Sequence, residues 1–261
     1  MPGLELEDAT LSYDVEGSGE PVLLLHGQGS RRDHWELQVA ALAPRYTTIR
    51  IDQRGHGDSS KPAGPYTMEQ LAADAATVIR RVARNPTHVI GHSLGGAVAL
   101  QLALDAPDLV RSLVVINAQA CFAQPGAFVR LVMAGAELVP RLFGLRLHGN
   151  LIAAGYLPGA QLADRRAKFV EDWAQNDLRA YLATQRAVET FDVTARLGEI
   201  AAPMLVLGSD HDVLPTKNKQ ELAAKVKNGR LVMIEGSRHI ALWDQPGAVN
   251  TALQEFLAGV S

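Results

Sequence analysis

The sequence predicts an α/β protein, with a mostly parallel, twisted sheet of eight strands, helices on both faces and an inserted helical segment. Short apolar runs such as residues 22–25 are continuous rather than alternating, which is typical of strands covered on both faces. Segments with apolar residues at helical spacing alternate with these runs, as a parallel sheet requires. With 261 residues, of which 47% are hydrophobic, the chain can bury one large core.

The eight predicted strands follow one another along the chain with helices between most of them. Residues 4–15 alternate apolar and polar side chains, which predicts two short strands of a hairpin at a sheet edge. The other six strands are centred on residues 22–25, 46–51, 89–90, 112–117, 202–207 and 229–234. The residues Thr67-Met68-Glu69-Gln70 fit a capping box and predict the start of a helix.

The alternation of strands and helices stops between residues 118 and 190, where only helical patterns occur. Pro140, Gly144 and Pro158-Gly159 are predicted to break these helices, and residues 160–173 and 177–190 predict two amphipathic ones. An all-helical insertion between two strands is best explained as a cap over the strand ends, where it would shape a pocket and exclude water.

We therefore predict three segments, which are a first core part of residues 1–117, a cap of residues 118–190 and a second core part of residues 191–261. The cap carries eight basic and six acidic side chains, a net charge of +2 against −3 for the whole chain. Solvated helix faces explain this charge, and attraction of an anionic substrate or carrier is the alternative. An apolar face of the cap could line an acyl pocket or pack on the core; it carries Phe128, Leu131, Val132 and Leu138.

Composition excludes several classes of partner. A net charge of −3 without a basic stripe argues against nucleic acid, because phosphate binding needs concentrated Lys and Arg. The single cysteine, Cys121, excludes an internal disulfide and fits a reducing compartment. We find no signal peptide, and no segment approaches the apolar length of a membrane span. We therefore expect a cytoplasmic protein with a small-molecule substrate and no membrane partner; its oligomeric state stays open.

The motif at the centre of the chain is Gly91-His92-Ser93-Leu94-Gly95, which reads G-x-S-x-G between an apolar strand and an apolar helix. In that context the motif predicts a nucleophile elbow, with the serine hydroxyl at the tip of a strained turn. Glycine at both ends lets the strand and the helix approach closely. The N–H of Leu94 begins the helix and is expected to face the atom that Ser93 attacks.

Two polar loops follow earlier strands. The loop His26-Gly27-Gln28-Gly29 can bring its backbone close to a ligand, and we predict the N–H of Gln28 as a second donor to an oxyanion. We interpret His26 as a brace of this loop rather than a proton-transfer group. The charged stretch at residues 52–59 is likewise interpreted as a hydrogen-bonded loop rather than a catalytic one.

Serine chemistry needs two further side chains, an imidazole that takes the hydroxyl proton and a carboxylate that orients the imidazole. His239 follows the last strand, and Asp210 and Asp212 follow the one before it. Ligand-contacting loops of open α/β sheets lie past the carboxyl ends of the strands, so we expect these side chains near Ser93. The order Ser, Asp, His along the chain is the one this architecture uses.

The chain resembles a lidded α/β-hydrolase of the esterase, lactonase and haloperoxidase-like group. The likeness covers nearly the whole length outside the cap, at His26-Gly27 and at residues 52–59, 91–96, 203–215 and 236–239. The resemblance implies the α/β-hydrolase fold, Ser93 as nucleophile, His239 as base, and Leu94 with Gln28 as the oxyanion hole.

The acid position departs from the pattern of this family, in which a glycine, two residues and then the catalytic Asp occur. Here Gly208 is followed at that spacing by His211, with an Asp on either side. Counting from the prolines that flank the loop favours Asp212, and Asp210 is the alternative. Some relatives carry the acid one strand earlier, where this chain has no ionisable side chain.

A serine nucleophile favours acyl transfer, whereas an aspartate would form an alkyl ester. We therefore predict hydrolysis of a carboxylic ester or lactone through an acyl-enzyme on Ser93. No cofactor is required, and no metal is expected because the histidines show no ligand spacing. The alternatives are C–C bond hydrolysis, lyase or perhydrolase chemistry with the same three residues, and a ligand sensor without enzymatic activity.

Overall fold

The structure is a computed structural model that describes residues 3–122 and 127–260, without the side chains of residues 127–133. Its eight strands are β1 (Gly3–Glu5), β2 (Thr10–Glu16), β3 (Glu20–Leu25), β4 (Tyr46–Ile51), β5 (Thr87–His92), β6 (Val110–Ile116), β7 (Met204–Ser209) and β8 (Gly229–Ile234). They form one sheet in the order β1-β2-β4-β3-β5-β6-β7-β8.

The sheet confirms the predicted architecture. β2 is antiparallel to both β1 and β4, and all other neighbours are parallel, so the edge hairpin and the parallel body are both present. The register places Leu25 opposite Gly91, and Ile116 opposite both His92 and Leu207. The carboxyl ends of these four central strands therefore lie side by side at one edge.

The described part of the chain has nine α-helices: α1 (Glu36–Leu42), α2 (Met68–Val78), α3 (Leu94–Asp105), α4 (Ala127–Tyr156), α5 (Ala163–Ala174), α6 (Leu178–Glu189), α7 (Thr216–Lys225), α8 (Ala241–Asp244) and α9 (Pro246–Ala258). Helices α2 and α3 pack against each other on one face, and α1 packs with α9 on the other. Side chains of β3 alternate between the two cores, Leu23 and Leu25 in the first and Val22 and Leu24 in the second. This alternation is the strand period of two.

The predicted capping box at the start of α2 is half confirmed. The Thr67 hydroxyl accepts a hydrogen bond from the N–H of Gln70 at 3.1 Å, so the N-cap contact forms. The Gln70 side chain instead donates to Asp8 at 3.3 Å. The helix start is where the sequence places it, with one of the two reciprocal bonds.

Three helices, α4, α5 and α6, lie between β6 and β7, where the sequence predicts only helical structure. The prediction that Pro140 breaks a helix is wrong: it lies inside α4, which continues past it. The break comes at Gly144, whose φ of 81° is one that favours glycine. Pro140 removes one N–H donor from α4, yet the residues on both sides of it are helical.

Of the predicted apolar face of the insertion, Leu138 is exposed, and the side chains of Phe128, Leu131 and Val132 lie outside the described residues. None of the helices in the described ranges has the length and apolar character needed to cross a bilayer.

Candidate active site

The turn between β5 and α3 holds Ser93 in a conformation that serine rarely adopts, with φ at 53° and ψ at −117°. Its N–H donates to the carbonyl of Ile116 at 2.9 Å, which ties the turn to β6. A Cβ on Gly91 would collide with the carbonyl of Gly95, and one on Gly95 would collide with the carbonyl of Leu25. The two glycines therefore allow the strand and the helix to approach, and the strain falls on Ser93.

Ser93, His239 and Asp212 lie in one hydrogen-bonded series. Nε2 of His239 is 3.0 Å from Oγ of Ser93, and Nδ1 of His239 is 2.7 Å from Oδ1 of Asp212. With the ring proton on Nδ1, the imidazole donates to the carboxylate and accepts from the hydroxyl. The Asp212 side chain is fully buried and that of His239 is 8% exposed, so little water competes for these bonds.

Asp210, the alternative acid, has different partners. Its carboxylate accepts the N–H groups of Gly236 and Ser237 at 2.9 and 3.0 Å, and its side chain is 35% exposed. Asp210 thereby fastens the loop that precedes His239, whereas Asp212 meets the imidazole itself. The structure brings Asp212, not Asp210, into the series with Ser93.

Asp212 has a second partner that the sequence analysis missed, the ammonium of Lys219 in α7. Nζ lies 2.7 Å from Oδ2 of Asp212, and both side chains are fully buried. The two groups therefore form a buried ion pair. Burial by itself would raise the pKa of Asp212, but His239 and Lys219 outweigh it and lower that pKa to about 2. The acid is therefore ionised at neutral pH.

Two more polar residues hold the backbone of His239. The Asn117 amide donates to the carbonyls of His239 and Arg238 at 2.9 and 3.1 Å, and His92 Nε2 lies 2.8 Å from the same His239 carbonyl. Burial lowers the pKa of His92 to about 3, so this ring is neutral and acts as a donor. His92 ends β5 and Asn117 directly follows β6, at the edge that carries Ser93, and this placement is the signal that could have identified them.

The loop after β3 lies directly against Ser93. A Cβ built on Gly27 would be 3.0 Å from Nδ1 of His92 and 3.4 Å from Cβ of Ser93, so position 27 lies in contact with both residues. His26 braces this loop: its Nδ1 lies 2.8 Å from the Gly27 carbonyl and its Nε2 accepts from the Gln53 N–H at 3.0 Å. Burial lowers the pKa of His26 to about 3, which keeps it neutral. These contacts agree with a structural role for His26.

The backbone N–H groups of Gln28 and Leu94, predicted as oxyanion donors, occupy suitable positions in the chain. Leu94 is the first residue of α3, and the first N–H groups of a helix have no acceptor within the helix. Gln28 follows Gly27 in the loop beside Ser93, and its side-chain amide donates to the carbonyl of Tyr181 in α6 at 3.3 Å. Their action on a substrate stays a prediction.

The inserted helices reach the same edge of the sheet. The ring of Tyr156, the last residue of α4, lies 4.6 Å from the ring of His239, centroid to centroid. Trp173 of α5 packs on Gly29 so closely that a Cβ there would be 2.6 Å from its ring. Within the described ranges, no group of three or more His, Cys, Asp or Glu side chains is placed to hold a metal ion.

Comparison with known proteins shows which family this chain belongs to. The chain is 30% identical to a protein of Azorhizobium caulinodans named "Putative carbamate hydrolase RutD", over 98% of each chain. A crystal structure of a hydrolase from Pseudomonas aeruginosa superimposes with a TM-score of 0.88 at 27% identity, over 98% of this chain and 97% of that one. The structure of an N-acyl homoserine lactone degrading enzyme gives a TM-score of 0.85 at 25% identity, over 98% and 100%.

The relative from Azorhizobium caulinodans and the structure from Pseudomonas aeruginosa are both named hydrolases, and the fold of this chain superimposes on that structure over nearly its whole length. The family described as alpha/beta hydrolase matches residues 22–252, which is most of the chain. This protein therefore belongs to the alpha/beta hydrolase family and is a hydrolase.

Proposed function

We propose that the protein is a serine hydrolase that cleaves a carboxylic ester or a lactone. The observation that carries this proposal is the series from Ser93 through His239 to Asp212, with contacts of 3.0 and 2.7 Å. These distances suit proton transfer from the hydroxyl to the ring and orientation of the ring by the carboxylate. Ser93 is the nucleophile, His239 the base and Asp212 the acid.

In the first half-reaction, Oγ of Ser93 attacks the carbonyl carbon while its proton moves to Nε2 of His239. The imidazolium that forms is stabilised by the Asp212 carboxylate. When the tetrahedral intermediate collapses, the carbon–oxygen bond to the leaving group breaks and His239 returns the proton to that oxygen. The products are an ester on Ser93 and an alcohol, which in a lactone remains part of the same molecule.

In the second half-reaction, a water molecule gives a proton to His239 and attacks the acyl carbon. Collapse of this intermediate breaks the bond to Oγ, and His239 returns the proton to Ser93. The carboxylic acid leaves and the enzyme is restored. In both halves we assign the N–H groups of Leu94 and Gln28 as donors to the negative oxygen, because they flank Ser93 from α3 and from the loop after β3.

We further propose that residues 118–190 act as a cap on a core made of residues 1–117 and 191–261. The contacts that support this role are those of Tyr156 with the His239 ring and of Tyr181 with the Gln28 amide. A cap in contact with the base and the oxyanion loop can exclude water and select the acyl group.

The lactone class is favoured by the likeness to the lactone-degrading enzyme, at 25% identity over 98% of this chain and 100% of that one. A second candidate substrate is a carbamate, because relatives at 29 to 32% identity bear the carbamate hydrolase name. A carbamate carbonyl is open to the same attack by Ser93, so both candidates use one mechanism.

The test is a panel of esters, lactones and carbamates assayed with the wild-type protein and with Ser93→Ala. We expect Ser93→Ala to lose at least about 10⁴-fold in kcat on every hydrolysed substrate, because the three residues act as a unit. The matched control is Ser18→Ala, which removes an exposed hydroxyl and should leave kcat unchanged.

A fluorophosphonate probe with mass spectrometry identifies the reacting residue in the same preparations. We expect labelling of Ser93 in the wild type and in Ser18→Ala, and none in Ser93→Ala. Activity retained by Ser93→Ala would overturn the nucleophile assignment. A wild type inert on the whole panel would overturn the proposed substrate class.

A further inference from the structure

We propose that Lys219 is a positioning residue of the same site: its buried ammonium holds one carboxylate oxygen of Asp212 and, through that pair, restrains the protonation of His239. This inference rests on the proposed function, because it concerns the acid and the base of that reaction. Lys219 acts through Asp212 and touches no reacting atom.

Lys219 joins three parts of the loop that carries the acid. Its Nζ lies 2.7 Å from Oδ2 of Asp212, and it donates to the carbonyls of Leu214 at 3.1 Å and Ser209 at 3.3 Å. The ammonium therefore links the end of β7, the middle of the loop and the carboxylate. With Oδ2 held on this side, Oδ1 is directed to His239.

The packing of the Lys219 side chain fixes the position of its ammonium. A Cβ on Gly208 would lie 2.7 Å from Cδ of Lys219, so the side chain packs tightly along β7. Its exposure is zero, and lysine is almost never fully buried unless its charge is paired. Leu222 and Ala223 share the buried face of α7 at helical spacing, where an apolar residue at position 219 would be the ordinary choice.

The charge of Lys219 affects the proton that His239 carries during the reaction. An isolated carboxylate would stabilise the imidazolium fully, whereas a carboxylate already paired with a cation stabilises it less. The pairing with Lys219 therefore favours return of the ring proton to the leaving group. The contact between Lys219 and Asp212 therefore does two things: it positions the carboxylate, and it places a positive charge near His239.

Other titratable groups lie around this pair. The groups that face it are Ser93 and His92 at β5, Tyr156 of α4, Asp210 in the same loop and Asp244 of α8. Burial lowers the pKa of His92 to about 3 and raises that of Tyr156, so both are neutral near pH 7. Asp210 and Asp244 are engaged by backbone N–H groups of residues 236–238. Lys219 is the cation that contacts Asp212 directly.

The test is Lys219→Met, which keeps a flexible stem and removes the charge. We expect the acid limb of the kcat/KM profile for ester hydrolysis to move up by roughly 0.5 to 1 pH unit, because the imidazolium loses a repelling charge. The matched control is Lys217→Met, two positions earlier in α7, whose side chain is 80% exposed and 3.6 Å from Glu221. It should leave both the limb and kcat unchanged.

A purely structural role would lower kcat equally at every pH, so an unmoved acid limb in a folded Lys219→Met protein overturns the proposal. If that variant does not fold, the double variant Asp212→Asn with Lys219→Met replaces it. The double variant leaves no buried charge unpaired. Because Lys219 acts through Asp212, its kcat should equal that of Asp212→Asn within a factor of three, and a further loss of tenfold would refute the mechanism.

A measurement without substrate separates this proposal from the proposed function. The imidazole C–H resonances of His239, assigned by comparison with His239→Gln, are followed by NMR against pH in the wild type and in Lys219→Met. The titration midpoint should be higher in the variant, whether or not the protein hydrolyses any ester of the panel. An inert wild type would count against the proposed function, and coincident midpoints would count against Lys219.

Discussion

Asp52 and Asp212 have similar surroundings and different uses. Each follows a parallel strand, β4 or β7, is fully buried and pairs with a cation. The Asp52 carboxylate accepts the backbone N–H of Arg32 at 2.7 Å and that of Asp58 at 2.8 Å, and it also pairs with the Arg32 guanidinium. Asp212 gives one oxygen to Lys219 and the other to His239.

The difference shows that a buried carboxylate with a buried cation does not by itself indicate catalysis. Both oxygens of Asp52 are used within its own loop and the adjoining turn, so its pairing stabilises the fold. Asp212 keeps one oxygen for a ring whose far nitrogen meets Ser93. The two sites differ in the partner of the second carboxylate oxygen, which is a backbone or side-chain group of the fold for Asp52 and the His239 ring for Asp212.

The largest expected effect tests the catalytic side of this comparison. Asp212→Asn keeps the shape of the side chain but no longer favours the required tautomer of His239, so we expect kcat to fall by about 10⁴-fold. Asp210→Asn weakens only the anchoring of the loop before His239 and should cost far less, within about tenfold. Steady-state kinetics on the best substrate of the panel measures both. Equal or reversed losses would reassign the acid.

The second prediction tests whether Asp52 stabilises the fold. Asp52→Asn removes one partner of a buried pair, and we expect the free energy of unfolding to drop by about 3 kcal/mol. Arg32 keeps Asp14 at 2.8 Å and Asp58 at 3.1 Å, which limits the loss. Urea denaturation measures it, with Asp33→Asn as control, since that exposed carboxylate pairs with Arg31 at 3.4 Å and should cost less than about 1 kcal/mol.

Activity distinguishes the two aspartates further. The kcat per folded Asp52→Asn molecule should stay within a few-fold of the wild type, because Asp52 contacts neither Ser93 nor His239. A loss of activity comparable to that of Asp212→Asn, at temperatures where the variant is folded, would remove the distinction between the two sites.

The sequence predicted the sheet, its edge hairpin and the turn at Ser93 because these features are local. A continuous apolar run, a glycine at each end of a tight turn and a helix directly after it leave few alternatives. It also placed Asp212 and His239 after the correct strands, since the carboxyl ends of parallel strands meet at one edge. Counting from Pro203 and Pro215 to the position of the acid in the family that the chain resembles favoured Asp212 over Asp210, and the catalytic role of Asp212 stays a proposal.

Contacts between distant segments could not be predicted in the same way. Lys219 looks like any lysine of an amphipathic helix until the β7 strand end and Asp212 are seen beside it. Pro140 has a pattern typical of a helix end, but the packing of α4 against α5 and α6 carries the helix past it. Tyr156 meets His239 only because α4 returns over the sheet edge.

The smallest expected effect concerns the pH dependence of stability, which differs between the surroundings of Asp52 and those of Asp212. His26 and His56 lie side by side near Asp52, with ring centroids 5.0 Å apart, and burial lowers the pKa of each to about 3. An unfolded histidine binds a proton below about pH 6.5 while these rings do not, so stability falls as the pH drops from 6.5 towards 3. The lowered pKa of Asp212 acts in a different window: its contribution is complete above about pH 4 and is lost only as the pH falls towards 2.

At pH 5, therefore, acid destabilisation should arise from buried histidines and not from Asp212. We expect His56→Asn to reduce the difference in unfolding free energy between pH 7 and pH 5 by about 2 kcal/mol, roughly one proton over 1.5 pH units. Urea denaturation at the two pH values measures this, with His211→Asn, at an exposed position, as the control. A pH dependence unchanged in His56→Asn would mean that folded His56 binds a proton as readily as the unfolded residue, which would contradict the lowered pKa.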